Sequence, residues 1–511
     1  MSLGRLGWRL RRRMRRRCCR APHDGRATAG FCRLLFRTRF DGVDVSHFDN
    51  ADRQSLRGFL NMVRDRFPDE YLQISGRIET LYQSTSIVFE LERAGRSPVV
   101  MFDDIDGKGM PCVTNVAASR KLLAACLDVA EQDLPTVFRD RSQRYLPCET
   151  VDEAPWNDIV LEGDDVDLTR LPIPHQFTVD AAPYITAGQI TARDPKTGVD
   201  TTGFHRLMLK GKNRLGVSLH SRRRMHEFHR RAEEMGQSLP AAITIGVHPL
   251  HYMGSMTYAY PPHVRKFEII GGLFGEPYRL ARCGVQDLEV PAGAEIIIEG
   301  EILADVREPE GPFGEFTGYA SYRSTQNVFV AHRIRMRRDA MFHSVVAGMA
   351  KDHILISCIT REGEILNALK RNIPNVKAVH VPHSTCGAFM AVISLKKIAE
   401  GEPQMAAMAA LSTELYTKYV IVVDDDVDIF DMNDVFWAIA TRVRAEKDIF
   451  FVPGCKGAIL DPSSDPENFT LTKMGIDATR PTGRDFAERL VISDEERAKA
   501  REILERAGVR L

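Results

Sequence analysis

Two glutamates five residues apart lie in a segment that cannot form a regular helix. Residues 309–315 read Pro-Glu-Gly-Pro-Phe-Gly-Glu, with two prolines and two glycines. Proline removes a backbone donor and glycine loosens the chain, so the pattern predicts a shaped loop after the strand-like run 294–300. Carboxyl groups on one loop can hold different pKa values, which suits Glu310 and Glu315 to general acid–base chemistry. The alternative is that both face water, since Glu is seldom buried.

Charge is distributed unevenly along the 511 residues. Residues 1–40 carry thirteen arginines against one aspartate, and because the formal total is zero, the rest of the chain is acidic. An acidic body argues against nucleic-acid binding. The Arg-rich head lacks the apolar core of a secretory signal, so we expect residues 1–45 to be a disordered extension. A transit peptide or a nucleic-acid-binding arm is the alternative.

The remaining composition is that of an ordinary globular protein. No apolar run approaches the roughly 18 residues that a membrane-spanning helix needs, so we expect no contact with a membrane. Ten cysteines without a C-x-x-C spacing indicate reduced thiols, as in a cytoplasmic protein.

Hydrophobic periodicity divides the chain into regions of different class. A hairpin is predicted where Leu207–Leu209 and Leu215–Ser218 flank the turn 210–213. The polar, proline-containing segment 145–160 resembles a linker. The predicted division is an N-terminal α/β domain (46–150), a β-rich, barrel-like domain (151–340), a C-terminal α/β domain (341–490) and a C-terminal helix (491–511).

Arg206 and an aspartate cluster are further candidates. Arg206 closes a predicted strand, where it could clamp a carboxylate by two parallel hydrogen bonds, or could simply be exposed at the strand edge. Asp424–Asp428 follow a buried strand, a position that suits Mg²⁺ or, alternatively, strand-end and helix-capping roles. No phosphate-binding glycine motif accompanies them.

Two basic clusters lie in the β-rich region. Arg222–Arg224 and Arg265-Lys266 are separated by some forty residues in an otherwise acidic body. They are either solvated faces or cations that converge on a phosphate group.

Together these motifs resemble the UbiD family of reversible decarboxylases, which use prenylated FMN. The resemblance covers about residues 50–480 and rests on the 309–315 loop with Gly318-Tyr319, and on the segments 285–300, 424–428, 434–442 and 473–479. The catalytic set of the family is one arginine and two glutamates, which match Arg206, Glu310 and Glu315. The resemblance implies that Arg206 holds the substrate carboxylate, Glu315 exchanges the proton, and Glu310 tunes Arg206 and the flavin.

The chain departs from the family where the cofactor phosphate is bound. Relatives hold that phosphate through a divalent metal (Mn) with K⁺ beside it, using an asparagine, a histidine and a glutamate. The matching positions here are Thr201, Arg224 and Lys266, or Arg265 if the match shifts by one. Fixed positive charges repel a cation. We therefore expect no metal, and either direct binding of the flavin phosphate by these side chains or loss of the cofactor.

The resemblance implies an α/β (α+β) fold with a central split β-barrel-like flavin-binding domain between two α/β regions. The implied activity is reversible, non-oxidative decarboxylation of an aromatic or α,β-unsaturated carboxylic acid. A flavin prenyltransferase would supply the cofactor, and a homodimer or homohexamer is expected. Two alternatives stay open: a catalytically silent or assembly subunit of a multi-subunit carboxylase, and a Mg²⁺-dependent phosphoryl-transfer enzyme that uses Asp424–Asp428.

Overall fold

The structure, a computed structural model, describes residues 52–219, 223–284 and 288–509. The Arg-rich segment 1–45 lies outside these ranges, as do Arg222 of the first basic cluster and Val285, the start of one family motif. The strands are β1 Tyr71–Ile78, β2 Val99–Ile105, β3 Cys112–Thr114, β4 Glu149–Val151, β5 Ile159–Glu162, β6 Tyr184–Ile185, β7 Gln189–Arg193, β8 Asp200–Phe204, β9 Leu207–Leu209, β10 Arg214–Val217, β11 Leu239–Ile245, β12 Arg279–Arg282, β13 Glu289–Pro291, β14 Ile296–Glu310, β15 Ser324–Met336, β16 Phe342–His343, β17 Val376–His380, β18 Met390–Leu395, β19 Tyr419–Asp424, β20 Ile449–Lys456 and β21 Thr470–Ala478. The helices are α1 Leu56–Arg66, α2 Gln83–Arg93, α3 Arg120–Cys126, α4 Leu134–Ser142, α5 Arg224–Glu234, α6 Pro249–Met256, α7 Lys266–Phe274, α8 Lys351–Lys370, α9 Glu402–Thr413, α10 Met432–Arg442, α11 Ala445–Asp448 and α12 Asp494–Arg506.

The N-terminal region is built on a four-stranded sheet in the order β1-β2-β3-β16. Helix α1 begins after Ser55, whose hydroxyl accepts a hydrogen bond from the Gly58 amide, as Ser commonly does at an N-cap. The apolar stripe of α1, which includes Phe59 and Val63, packs with residues of β2 and β3. The fourth strand, β16, comes from residues 342–343, so the chain returns to this sheet after it has passed through the central region.

The central region is a curled, antiparallel, nine-stranded sheet in the order β6-β9-β10-β15-β14-β11-β7-β8, with β5 paired to β15. The predicted hairpin is confirmed, since β9 and β10 pair in antiparallel register. The register of β14 against β15 shifts between Glu299 and Gly300. A Cβ on Gly300 would come within 1.9 Å of the Val330 carbonyl, so only glycine permits this close approach.

The predicted linker at 145–160 is wrong. Strand β4 pairs in parallel with β12, and Trp156 is fully buried, with its indole N–H donating to the Pro291 carbonyl (3.1 Å). The pattern misled because a single buried aromatic anchor stands among polar residues and carries no periodicity of its own.

The C-terminal region is a five-stranded mixed sheet in the order β17-β18-β19-β21-β20. Helix α10 is capped by Asp431, whose carboxylate accepts from the Asn433 amide (2.9 Å), as Asp commonly does at an N-cap.

Helix α8 joins these regions. It is twenty residues long and packs against α4, α6, α9 and β17. Most of its side chains are buried, including polar ones such as Asp352, Thr360 and Glu362. Among the described residues, no helix has both the length and the apolar character to span a membrane.

Candidate active site

A cavity of about 770 Å³ lies between the central sheet and helix α8. Its walls come from β8 and the connector that follows it, the first turn of α5, the end of α6, and one face of α8. Cavities of this size are typical of small-molecule and cofactor sites.

Arg206 projects into the cavity wall from the two-residue connector between β8 and β9, rather than from the end of a strand as predicted. Its side chain is only 10% exposed, so the alternative of an exposed strand-edge arginine is wrong. Nε and Nη2 donate to the two carboxylate oxygens of Glu310 at 2.9 and 2.8 Å, and Nη1 donates to Glu315. This two-point contact fixes the plane of the guanidinium group.

Glu310 and Glu315 differ in position, although both were predicted on one loop. Glu310 is the last residue of β14 and is fully buried behind Arg206, away from the cavity wall. Glu315 follows the turn and lines the cavity. The strand extends to Glu310 because residues 307–310 continue the pairing with β15, which a local reading of glycine and proline cannot reveal.

The loop that carries Glu315 is held by close packing. A Cβ on Gly314 would lie 2.4 Å from the Phe177 ring, so glycine is required there. The Gly314 amide donates to the Asp180 carboxylate (2.8 Å), and the Glu315 amide donates to the Tyr319 carbonyl (2.9 Å). The carboxyl group of Glu315 is therefore presented by a backbone fixed on both sides.

The environment of Glu315 favours its protonated form. Burial raises the pKa of its carboxyl group, Arg206 opposes the rise, and the charge of Glu310 adds to it. A carboxyl group with a raised pKa holds its proton more readily than a free glutamate does, and the protonated form is the one that a general acid needs. Both carboxylate oxygens of Glu310 accept hydrogen bonds from Arg206, whereas Glu315 lines the cavity.

Thr201 and Lys266 line another part of the same cavity. The Thr201 hydroxyl lies 3.4 Å from the Tyr260 phenol oxygen. Lys266, at the start of α7, donates to the Ser255 carbonyl. Burial lowers the pKa of the Lys266 ammonium group to about 7, helped by the charges of Arg223 and Arg224.

Arg224 lines the cavity too, but its guanidinium is already engaged. Nη1 and Nη2 donate to the backbone carbonyls of Tyr260, Pro261, Pro262 and Val264, and the group lies 3.7 Å from the centroid of the Tyr260 ring. It thus fixes the 260–264 segment and contributes positive charge to the wall.

Arg265 points away from the cavity. Its Nε donates to Asp200 (2.9 Å) and its Nη2 donates to Glu289 (2.7 Å). The resemblance left Lys266 and Arg265 as alternatives for one position near the cofactor phosphate. Lys266 lines the cavity, and Arg265 does not. The choice depends on how α7 is rotated, which tertiary packing sets.

The aspartates after β19 are paired with arginine. Arg442 donates to Asp424 (2.7 Å) and to Asp426 (2.8 Å), and Asp428 accepts from the Phe430 amide (2.9 Å). Across the described ranges, no three His, Cys, Asp or Glu side chains group as metal ligands. The strand-end alternative therefore describes Asp424–Asp428 better than a magnesium site.

One face of α8 supplies cavity-lining residues that the sequence reasoning did not single out. His353, Ser357 and Arg361 recur every four residues and so share one face of the helix, and Tyr416 lines the same cavity. Polar residues that recur every four positions along a long helix are a signal that could have found them.

Comparisons with known proteins place this chain in a class of carboxy-lyases. Models described as the N-terminal, Rift-related and C-terminal domains of 3-octaprenyl-4-hydroxybenzoate carboxy-lyase match residues 66–141, 149–350 and 353–478. The chain therefore belongs to the UbiD family of decarboxylases.

The chain is also similar to individual enzymes of this class. The chain is 34% identical over 430 residues to anhydromevalonate phosphate decarboxylase of Methanothermobacter thermautotrophicus, covering 83% of this chain and 97% of that protein. The enzyme of that name from Methanosarcina mazei is 33% identical over 431 residues, covering 83% of this chain and 98% of that protein. A solved structure of the UbiD-class enzyme HmfF from Pelotomaculum thermopropionicum in complex with FMN is 34% identical, with a TM-score of 0.83 over 88% of this chain and 99% of that one. A dimeric, evolved form of the same enzyme, in complex with prFMN, has a TM-score of 0.78 at 32% identity, over 87% of this chain and 98% of that one.

Proposed function

We propose that this chain is a prenylated-FMN-dependent decarboxylase of a small α,β-unsaturated carboxylic acid that carries a phosphate group. The observation that carries the proposal is the ion-paired set at the cavity wall. Arg206 is oriented by buried Glu310 and bonded to Glu315, which faces the cavity.

The residues present fit a flavin mononucleotide. The cavity volume is sufficient, and Lys266 and Arg224 line it with positive charge suited to a phosphate dianion. Thr201 and Lys266 would donate to the phosphate, while Arg224 would act through its charge, because its donors are engaged with backbone carbonyls. The prenylated flavin, when bound, supplies an electron sink for decarboxylation.

The chain's own residues have separable roles in this proposal. Arg206 binds the substrate carboxylate and orients it. Glu315 holds the proton that replaces CO₂ on carbon, which its raised pKa permits. Glu310 keeps the guanidinium in one plane and balances its charge.

The substrate class follows from the relatives together with this acid–base set. Aromatic and α,β-unsaturated acids both suit the family, but two relatives above 30% identity are named for anhydromevalonate phosphate. By that name the compound is a dehydrated mevalonate with a phosphate group, hence an unsaturated acid with two anionic ends.

The test is to co-express the chain with a flavin prenyltransferase and assay the purified holoenzyme. Absorbance and mass spectra would establish whether prenylated FMN is bound. CO₂ release from anhydromevalonate phosphate, with deuterium from D₂O entering the product, is the expected activity. Holoprotein that releases no CO₂ from this acid or from aromatic acids would favour the silent or assembly subunit instead.

A further inference from the structure

We propose that the α8 face formed by His353, Ser357 and Arg361, together with Tyr416, is a second anion site that binds the phosphate monoester of the substrate. The inference rests on the proposed function and deepens it. It assigns the recognition of phosphate to residues separate from Arg206 and from the cofactor-phosphate candidates.

Arg361 is the centre of this site. Its Nε donates to Glu414 (2.8 Å), and its Nη1 donates to the Gly387 carbonyl (3.1 Å) and to Ser357. Within the described part of the chain Nη2 makes no hydrogen bond, and Arg361 lines the cavity. The guanidinium is therefore anchored on two sides and has donors left for a ligand.

The neighbouring side chains have complementary hydrogen-bonding capacity. The Gly348 carbonyl can only accept, so Nδ1 of His353 (3.0 Å away) carries the proton, and neutral Nε2 can accept one from a phosphate monoanion. The Ser357 hydroxyl accepts from Arg361, so its own proton is available to donate. A phosphate monoester has three terminal oxygens, so its binding needs several hydrogen-bonding side chains of this kind.

A second cation strengthens the site. The Arg223 guanidinium lies 4.9 Å from the centroid of the Tyr258 ring, and Tyr258 lines the same cavity. Burial raises the pKa of the Tyr416 phenol, and the charges of Arg361 and Arg223 both oppose the rise. Glu414 and Glu315 act on Tyr416 in the opposite sense, so this part of the cavity holds two guanidinium groups beside two carboxyl groups. An anion here would bind through the Nη2 donors of Arg361, with Arg223 as a second nearby cation.

The site is distinct from the one at Arg206 but belongs to the same cavity. Phe316, next to Glu315, packs edge-on against Tyr416 with ring centroids 5.6 Å apart. The Arg361 guanidinium lies 5.3 Å from the Tyr416 centroid. The rings of Phe316 and Tyr416 thus lie between Glu315 and Arg361, which suits a ligand with an anion at each end.

The experiment compares three substrates with the holoenzyme: anhydromevalonate phosphate, its dephosphorylated alcohol, and an unsaturated dicarboxylic acid of similar length. We expect kcat/KM to be highest for the phosphate. The double variant Arg361→Gln/Glu414→Gln removes both charges without leaving a buried ion unpaired. It should lower kcat/KM for the phosphate by about 10- to 100-fold, the worth of one or two hydrogen bonds to a charged group, mostly through KM. The alcohol should be turned over as before.

Milder changes separate recognition from folding. Tyr416→Phe should lower kcat/KM for the phosphate without changing the thermal midpoint or flavin occupancy, while Arg497→Ala on the exposed helix α12 should change nothing. Equal turnover of phosphate and alcohol, a preference for the dicarboxylic acid, or equal losses on phosphate and alcohol would overturn the second anion site while leaving the decarboxylase intact. Absence of CO₂ release from every acid tested would instead refute the proposed function.

Discussion

Glu310 holds Arg206 from the side away from the cavity, through hydrogen bonds of 2.9 and 2.8 Å to Nε and Nη2. Glu310 has no exposed surface and the Arg206 side chain is 10% exposed, so the pair is shielded from screening by salt. On the cavity side of the guanidinium group, Nη1 donates to Glu315, which lines the cavity. A guanidinium group fixed in this way can meet a substrate carboxylate without first being ordered, which lowers the entropic cost of binding.

Replacing Glu315 with glutamine tests the proton-exchanging role. The change keeps the shape and a hydrogen-bonding group but removes the acid. A positioned general acid is worth about 10²–10⁴ in rate, and we expect kcat for decarboxylation to fall by this factor with flavin still bound. Near-normal turnover in Glu315→Gln would show that the proton comes from another group.

Arg206→Lys tests the planar contact. An ammonium group keeps the charge but cannot bond both Glu310 oxygens and Glu315 in one plane. We expect kcat/KM to fall by about 100-fold or more, the worth of two charged hydrogen bonds, and the variant to remain folded by circular dichroism. If lysine supports wild-type kcat/KM, Arg206 has only a structural role.

Chelation tests how the cofactor phosphate is held. With Thr201, Arg224 and Lys266 in place of neutral and acidic ligands, we expect prenylated FMN occupancy and activity to survive dialysis against EDTA. Arg224→Ala/Lys266→Ala should release the flavin, measured by its absorbance. Stoichiometric manganese, lost together with activity on chelation, would contradict direct binding.

The pH dependence of FMN binding tests Lys266. Its pKa of about 7 in the unliganded protein means that the amine becomes neutral as the pH rises above 7. A phosphate dianion favours the ammonium form, so binding must take up a proton at higher pH. We expect the Kd for FMN, measured by fluorescence quenching, to rise by up to about tenfold per pH unit above pH 7. Lys266→Met should bind more weakly and lose this slope; a variant that keeps the slope would assign it to another group.

Arg442 tests the structural interpretation of the aspartate cluster. Arg442→Met removes the close guanidinium partner of Asp424 and Asp426. Asp424 keeps the hydrogen bond from the Arg480 backbone amide (2.8 Å), and the Arg480 side chain lies at the longer distances of 3.5 Å from Asp424 and 3.9 Å from Asp426. We expect a loss of about 3 kcal/mol in unfolding free energy, seen as a lower thermal midpoint. Exposed Asp425→Asn should change stability by less than about 0.5 kcal/mol. A decarboxylase that instead required Mg²⁺ and lost activity in Asp425→Asn would revive the metal interpretation.

Local pattern was sufficient for much of the architecture. Alternating and helical periodicities indicated the α/β class, the β9–β10 hairpin and the buried strand before Asp424, because these elements depend on neighbours close in sequence. The 309–315 motif identified the two glutamates together with their loop, since proline and glycine constrain the backbone wherever they occur.

Tertiary structure decided what each of these residues does. The choice between Lys266 and Arg265, the burial of Glu310 at a strand end, and the engagement of Arg224 by four carbonyls all depend on partners distant in sequence. The same holds for Arg361, whose role follows from the packing of α8 beside Tyr416. The sequence by itself determined which side chains were available and what backbone each could adopt. Only the packed fold determined which of them share a cavity, because burial and ion pairing are properties of groups brought together by folding.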